Sequence, residues 1–401
     1  MAHGILSWLI VMTLATGESK PPVRPGLEVL LTDSLHLVTG RRVGLVTNQG
    51  GIDRQGIHAV ERLRSAGINL VALYSPEHGF RGAADPGEAV ASTVDSATGL
   101  PIYSLYGRTS RPTADMLRGV EVLLVDLPDV GTRYFTFLAT TIEVMRAAAA
   151  NRIPVIVLDR PDPIGGRIQG NVLDTAFRSF IGSLAIPMRY GMTLGELARL
   201  ARGDLSLSTE LSVVPAAGWR RRDDIVDLGF PFPPPSPNLK DVESLFHYPG
   251  ICLFEGTALS VGRGTDHPFH QIGAPWLDTT RVLALLREAR PKGVRFEAVI
   301  FTPVRPGDQK FADVTLPGIR LFITDRRKYD PIRTALEMLT AVRAIHGEQI
   351  GWIPRHFDRL AGGSALRQAI EAGQGPRAIM AGWKDALAGF ERRRKDVLLY
   401  R

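Results

Sequence analysis

Short apolar runs without polar residues at alternate positions recur along the first part of the chain. Five such runs span residues 41–47, 68–75, 100–107, 120–129 and 153–162. Apolar residues recur with helical spacing between some of them, at residues 56–67 and 134–152. Strands that are apolar on both faces and alternate with helices are typical of a parallel sheet covered on both sides. The pattern predicts a Rossmann-like α/β domain with a mostly parallel sheet.

The pattern changes after a proline-rich stretch at residues 229–244, because its prolines disfavour regular structure. Beyond it we predict strands at 295–304 and 318–325 and helices at 329–347 and 364–373. A chain of 401 residues is also too long for one compact core. We therefore expect the Rossmann-like domain over residues 26–246 and a smaller α+β domain over residues 247–401.

The N-terminal residues 1–25 have the composition of a signal peptide or of a disordered segment. Their apolar part, residues 5–15, has the length of a signal-peptide core and is too short to span a bilayer. The positive residues that usually precede such a core are almost absent. We predict export to the periplasm or the cell exterior, with a cytoplasmic location as the alternative, and no stable membrane insertion.

Composition and charge exclude several classes of function. The net charge is +7, but the basic runs at 220–222 and 392–395 are each followed directly by acidic residues, so we expect no nucleic-acid binding. The one cysteine, Cys252, lies among apolar residues and allows no intramolecular disulfide. The mild positive balance favours an anionic substrate, and the sequence predicts nothing about oligomeric state.

Familiar cofactor and nucleophile motifs are absent from the sequence. It contains no glycine-rich dinucleotide or P-loop fingerprint, no HExxH zinc motif and no GxSxG nucleophile elbow. His267 and His270 lie close together, but Pro268 between them argues against a helix that presents both to a metal. We therefore expect no cofactor and no catalytic metal.

Charged, glycine-containing turns follow three of the predicted strands, at residues 76–79, 126–134 and 159–166. The carboxyl ends of parallel strands meet at one edge of the sheet, where such folds bind ligands. Any one of these turns is ordinary, since Asp and Pro are common after strands. Three on one edge predict a site rich in carboxylates and arginines.

Two glutamates, Glu77 and Glu255, suggest the chemistry of this site. Glu77 follows a buried strand between Pro76 and His78, and Glu255 lies between Phe254 and Gly256. A glycosidase needs one carboxyl group that is protonated near neutral pH and a second carboxylate that activates water or attacks the sugar. Burial at a strand end favours the protonated form of a carboxyl group. A helix cap or a salt bridge is the alternative role of each.

Seven segments in this order resemble the exo-β-N-acetylmuramidase family of bacterial peptidoglycan-recycling enzymes. They are GRRVGLVTNQGGID, LYSPEHGFRG, DLPDVGTRYFTF, VLDRPDPIGG, IPMRYGMTLGELA, PPPSPNL and FEGTALSVGRGTDHPF. The resemblance covers residues 26–401 and implies an active cleft between the two domains. It implies an enzyme that removes terminal N-acetylmuramic acid from the non-reducing end of wall fragments. It also implies Glu77 as the general acid and Glu255 as its partner. Asp129 competes with Glu255 for the partner role, and His78 either orients Glu77 or caps the turn.

Further residues in these segments are candidates for binding the sugar. Arginine suits the lactyl carboxylate of muramic acid, because its guanidinium group can bind both oxygens. The candidates are Arg133, Arg189 and Arg263 for that carboxylate, Tyr134 and Tyr190 for the ring, Asn238 for the acetamido group, and Asp159 as a further contact. A salt bridge between the domains is the alternative for Arg263, and core packing is the favoured role of the two tyrosines. The long segment 80–100 is a candidate lid. A glycosidase for another N-acetylated sugar and a non-catalytic binding protein for anionic wall sugars are the alternatives.

Overall fold

The structure is a computed structural model, and it describes residues 22–401. The signal-like stretch at residues 5–15 lies outside the described residues. No helix among the described residues is both long enough and apolar enough to span a membrane.

The described chain alternates strands and helices up to residue 214. Its strands are β1 Arg42–Thr47, β2 Asn69–Ser75, β3 Thr93–Val94, β4 Pro101–Ser104, β5 Val122–Asp126, β6 Val155–Leu158, β7 Gln169–Val172, β8 Pro187–Arg189, β9 Leu211–Val214, β10 Gln271–Gly273, β11 Val294–Phe301 and β12 Leu316–Ile323. Its α-helices are α1 Gly26–Asp33, α2 Ala59–Ser65, α3 Phe137–Asn151, α4 Leu194–Asp204, α5 Ile225–Leu228, α6 Val242–Ile251, α7 Thr279–Ala289, α8 Pro331–His346, α9 Pro354–Ala361, α10 Ala365–Glu371, α11 Pro376–Ala381 and α12 Lys384–Arg394.

Seven strands form the main sheet in the order β3-β4-β2-β1-β5-β6-β9, and all neighbours are parallel except β3 and β4. Every residue of β5 and β6 is buried, which explains why their sequences lack polar alternation. The order reverses direction between β1 and β5, and a crevice forms at the carboxyl ends of strands at such a point. The predicted Rossmann-like sheet is confirmed.

A second, antiparallel sheet in the order β10-β12-β11 belongs to the C-terminal part, with helices packed around it. This confirms the α+β character that the alternating segments predicted. The proline-rich stretch forms a loop, but its last three residues, 242–244, already belong to α6. The helix begins there because the Asp241 side chain accepts a hydrogen bond from the Ser244 N–H and caps its N-terminus.

Two hydrophobic cores flank the main sheet. The smaller core lies under α1 and α2 on one face. The larger core lies under α3 and α4 on the other face and continues without a break into α6 and α8 of the C-terminal part. The division at residue 246 stays a prediction, and the continuous core couples the two sides of that division.

Candidate active site

A tight turn after β2 positions the first glutamate. His78 in this turn has a φ of 70°, in the left-handed region that residues with a side chain rarely adopt. Its ring nitrogen Nδ1 lies 2.8 Å from the carbonyl oxygen of Ala84, which ties the turn to the following loop. This contact fits a positioning role for His78 better than direct proton transfer, because Nδ1 is bonded to the backbone.

The Glu77 carboxyl group is 8% exposed and is held by neutral groups. The Thr136 hydroxyl donates to Oε2 at 2.7 Å, and the Gly87 N–H donates to Oε1 at 2.9 Å. The Tyr106 hydroxyl also interacts with the Glu77 carboxyl group. Burial is the larger cause that raises the pKa of Tyr106, and the Glu77 carboxylate is the second. A hydroxyl group can donate to a carboxylate or accept from a carboxyl group. These partners hold the Glu77 carboxyl group in a fixed position.

Gly87 belongs to the segment 80–100 that the sequence predicts as a lid, and this segment lies across the Glu77 turn. A β-carbon placed on Gly79 of the turn would lie 3.2 Å from Val90, so the two segments are in close contact. Further along, the Ser92 hydroxyl accepts a hydrogen bond from the Ser104 N–H of β4 at 3.1 Å. The segment thus closes over Glu77 and supplies one of its hydrogen-bond donors.

The second glutamate, Glu255, lies in a short 3₁₀ turn that follows α6 and forms a buried ion pair. Arg263 places Nε and Nη2 at 2.6 and 2.5 Å from Glu255 Oε1. The thiol of Cys252 contacts Oε2 at 3.4 Å. Burial acts to raise the pKa of Glu255, but the Arg263 charge and hydrogen bonds outweigh it and hold that pKa below its usual value. Glu255 is therefore ionised at neutral pH.

Arg263 extends from Glu255 towards the Glu77 turn. Its guanidinium carbon lies 5.1 Å from the centre of the Phe269 ring. Burial lowers the pKa of His78, and the Arg263 charge acts in the same direction, so this charge is close to the turn that carries Glu77. The Nη1 atom of Arg263 is buried and makes no hydrogen bond within the described chain. It is a donor without a partner on the residue that binds Glu255.

An aromatic wall joins the two halves of the site. The ring of Tyr134 packs edge-to-face on Tyr248 at 5.6 Å, and Tyr248 packs on Phe269 at 4.9 Å. Tyr134 lies two residues before Thr136, which holds Glu77, and Tyr248 lies on α6, which leads to Glu255. The wall fixes both glutamates at the same junction between the main sheet and the C-terminal part.

Comparison with known proteins identifies the family. The family model for the N-terminal part of exo-β-N-acetylmuramidase NamZ matches residues 43–243, and the model for its C-terminal part matches residues 246–400. The chain belongs to this family. It is therefore a glycoside hydrolase, and the resemblance found in the sequence is confirmed.

The similarity to individual members of the NamZ family extends over nearly the whole chain. The peptidoglycan beta-N-acetylmuramidase NamZ of Bacillus subtilis (strain 168) is 40% identical over 384 residues, which cover 95% of this chain and 92% of that protein. Two solved DUF1343 family proteins of Bacteroides fragilis NCTC 9343 share the fold. BF0371 has a TM-score of 0.87 at 34% identity, and BF0379 has 0.77 at 30%; each comparison covers 94% of this chain and 99% of the other.

Asp129, the predicted competitor of Glu255, lies in the turn that follows β5. The Tyr190 hydroxyl donates to it, so Tyr190 is buried beneath the sheet edge rather than facing a sugar. Burial raises the pKa of Asp129 to about 6 and that of neighbouring Asp162 to about 8. Among the described residues, neither Asp129 nor Glu255 has a direct hydrogen bond with Glu77. The choice between Asp129 and Glu255 as the partner of Glu77 therefore stays a prediction.

Four other predicted sugar contacts have most of their polar atoms bonded within the protein, although the Nε atoms of Arg133 and Arg189 have no partner among the described residues. Arg133 donates to the carbonyl oxygens of Asn171, Ile186 and Leu360 at 2.7, 2.9 and 3.0 Å. Arg189 donates to Gln169 and Ile164, and Asp159 accepts from Thr193, Gly195 and Tyr400. Tyr134 donates to the Pro249 carbonyl. These contacts do not fit the predicted roles, because the groups brace distant segments of the fold.

Asn238 and Arg263 also have side-chain polar atoms without a partner among the described residues. Asn238 is 8% exposed, and its carboxamide makes no hydrogen bond with the described residues. Sequence reasoning missed two similar groups at strand ends: Asn48 Nδ2 and Ser75 Oγ are buried without partners. Asn48 directly follows β1, and Ser75 is the last residue of β2. The expectation that ligands bind at the carboxyl ends of parallel strands, which located Glu77, could therefore also have located these two residues.

Proposed function

We propose that the protein is an exo-acting hydrolase that releases terminal N-acetylmuramic acid from the non-reducing end of peptidoglycan fragments during wall recycling. Membership of the NamZ family supports this reaction, and the 40% identity to the peptidoglycan beta-N-acetylmuramidase of Bacillus subtilis supports a peptidoglycan substrate. An exported location is part of the proposal, because peptidoglycan lies outside the cytoplasmic membrane.

The contrast between the two buried glutamates carries the assignment of roles. Glu255 is ionised because Arg263 binds it, whereas the partners of Glu77 within the described residues are neutral. Two carboxyl groups whose surroundings differ in this way divide the roles of acid and carboxylate. Glu77 protonates the glycosidic oxygen, and Glu255 stabilises positive charge at the sugar or activates the attacking group.

Unpartnered donors at the junction support recognition of an anionic N-acetylated sugar. Two guanidinium nitrogens of Arg263 bind Glu255, so its free Nη1 supplies one hydrogen bond to the lactyl carboxylate rather than a two-pronged clamp. The Asn238 carboxamide has both a donor and an acceptor for the acetamido group. An N-acetylglucosamine glycoside keeps the acetamido group but lacks the lactyl carboxylate. It would leave the buried Nη1 of Arg263 without a partner, so the enzyme should discriminate against it.

The substitution Glu77→Gln tests the general acid. With a 4-methylumbelliferyl N-acetylmuramide, we expect kcat to fall about 10²- to 10⁴-fold, the usual contribution of such a group. The loss should be much smaller with a 2,4-dinitrophenyl leaving group, which needs no proton. Glu88→Gln, on the exposed part of the lid, is the matched control and should keep wild-type kcat.

Two results would reject the assignment. A Glu77→Gln enzyme within tenfold of wild type on both substrates would exclude Glu77 as the acid. Equal turnover of the muramic acid and glucosamine glycosides by the wild-type protein would instead favour a less specific N-acetylhexosaminidase. The fold of each variant is checked by its thermal unfolding midpoint.

A further inference from the structure

Two histidines and a glutamate form a cluster at the start of α6. Glu243 and His247 are four residues apart on this helix and therefore share a face. His270 directly precedes β10, and its ring centre lies 5.1 Å from that of His247. One ligand atom of each residue lies within 4.8 Å of the others. Neither Glu77 nor Glu255 belongs to this cluster.

His247 has a buried nitrogen that lacks a partner. The residue is 0% exposed, and its Nε2 makes no hydrogen bond within the described chain. The Glu243 Oε1 atom lies 3.5 Å from it, at the outer limit of hydrogen bonding. Buried polar atoms in native proteins nearly always have a partner, so this nitrogen requires an explanation.

The spacing of these atoms matches the coordination of a metal ion. Zinc binds histidine nitrogen and carboxylate oxygen at about 2.0–2.2 Å in tetrahedral geometry, which puts two ligand atoms about 3.4 Å apart. The 3.5 Å between His247 Nε2 and Glu243 Oε1 agrees with this value. We propose that Glu243, His247 and His270 bind a divalent transition-metal ion of the zinc class.

The groups around the three ligands are those that orient metal ligands. The Tyr329 hydroxyl lies 2.8 Å from His247 Nδ1, which leaves Nε2 as the atom that points into the cluster. The Ile323 N–H donates to Glu243 Oε1 at 2.8 Å, and Asp241 lies 3.1 Å from His270 Nε2. Such outer contacts fix the orientation of metal ligands.

The site is open to ions on its acidic side. The Glu243 and Asp241 side chains are 40% and 47% exposed, whereas the two imidazoles are buried behind them. A bound ion would cross-link the first turn of α6 to the chain before β10. The role is structural. The site differs from the His267–His270 pair that the sequence argues against, because His267 is not a ligand and two of the three ligands come from α6, more than twenty residues earlier in the chain.

Metal titration of the full-length, chelator-treated protein tests the proposal. We expect one equivalent of Zn²⁺ to bind and to raise the thermal unfolding midpoint, and Co²⁺ to bind with visible absorption of a four- or five-coordinate site. Glu243→Gln and His270→Gln should each weaken Zn²⁺ binding at least tenfold. His267→Gln is the matched control, since His267 is a neighbouring histidine outside the cluster, and it should bind like wild type.

Two outcomes would overturn the metal site. One is a wild-type protein that binds neither Zn²⁺ nor Co²⁺; the other is Zn²⁺ binding that is unchanged in Glu243→Gln. Because the Glu243 side chain is partly exposed, this variant should fold even if His270→Gln does not, and circular dichroism will show whether it does. Muramidase activity is not the readout, so a failure here is distinct from a failure of the proposed function.

Discussion

The buried pair of Glu255 and Arg263 offers the sharpest test of how the site works, through the substitution Arg263→Met. Methionine keeps an apolar side chain against Phe269 but removes the hydrogen bond from Nε to Glu255, of 2.6 Å, and the ion-pair contact of Nη2, of 2.5 Å. Removing one partner of a buried ion pair leaves an uncompensated charge and costs about 3–5 kcal/mol. We expect the free energy of unfolding at pH 7 to fall by about that amount.

The same substitution should change the pH dependence. Arg263 holds the folded-state pKa of Glu255 below its ordinary value, so the pair stabilises the protein at neutral pH. This stabilisation is lost as the pH falls through the folded-state pKa. Burial acts to raise the pKa of Glu255, and Arg263 opposes this effect. When Arg263 is removed, the pKa of Glu255 should therefore rise. The acidic limb of the kcat/KM profile should therefore move to higher pH.

Urea unfolding and pH–rate profiles of four proteins measure both effects: wild type, Arg263→Met, Glu255→Gln and the double variant. The double variant should be at least about 1 kcal/mol more stable than the sum of the single losses predicts, because residues in direct contact couple. Arg118→Met removes an exposed ion pair with Asp115 and is the control, with an expected change below about 1 kcal/mol. Additive losses and an unmoved acidic limb would refute the reasoning.

Two further substitutions test neighbouring features. Lys310 Nζ donates to the carbonyls of Glu255, Thr257 and Leu259 at 3.0, 2.6 and 3.0 Å. Lys310→Met should therefore loosen the turn that carries Glu255 and lower kcat at least about tenfold. Unchanged kcat and KM would contradict this prediction. Burial raises the pKa of Asp162 to about 8. The contribution of this group to the free energy of unfolding therefore falls as the pH rises from about 4 to 8. In urea unfolding, the stability of Asp162→Asn relative to wild type should increase by more than about 1.4 kcal/mol between pH 5 and pH 9. Stability curves of the two proteins that run parallel over this pH range would contradict the prediction.

Local pattern was sufficient to predict most of the fold. Each strand of the main sheet lies within or close to an apolar run, except β3 and β9, which are short or lie at the sheet edge. The helix predicted at 134–152 begins later, at Phe137, because Tyr134 and Thr136 are held in the turn by contacts with Pro249 and Glu77. Such contacts come from distant parts of the chain and leave no periodic signal.

The candidate site was predictable only in part, for the same reason. Glu77 could be located because the carboxyl ends of parallel strands present ligand sites. The role of arginines could not be predicted, since it depends on which acceptors the fold brings to them. Arg133, expected to bind a carboxylate, donates to Leu360, which is 227 positions away, whereas Arg263 does lie beside a glutamate.

The sequence by itself determined the parallel sheet, the edge at which its polar turns meet, and the family, because periodicity and short motifs are local properties. The tertiary structure alone decided that Arg263 keeps Glu255 ionised, that the lid donates to Glu77 through Gly87, and that His247 lies beside His270. The strength of each contact depends on burial and on distances of a few ångströms, and these are fixed only when remote segments pack together.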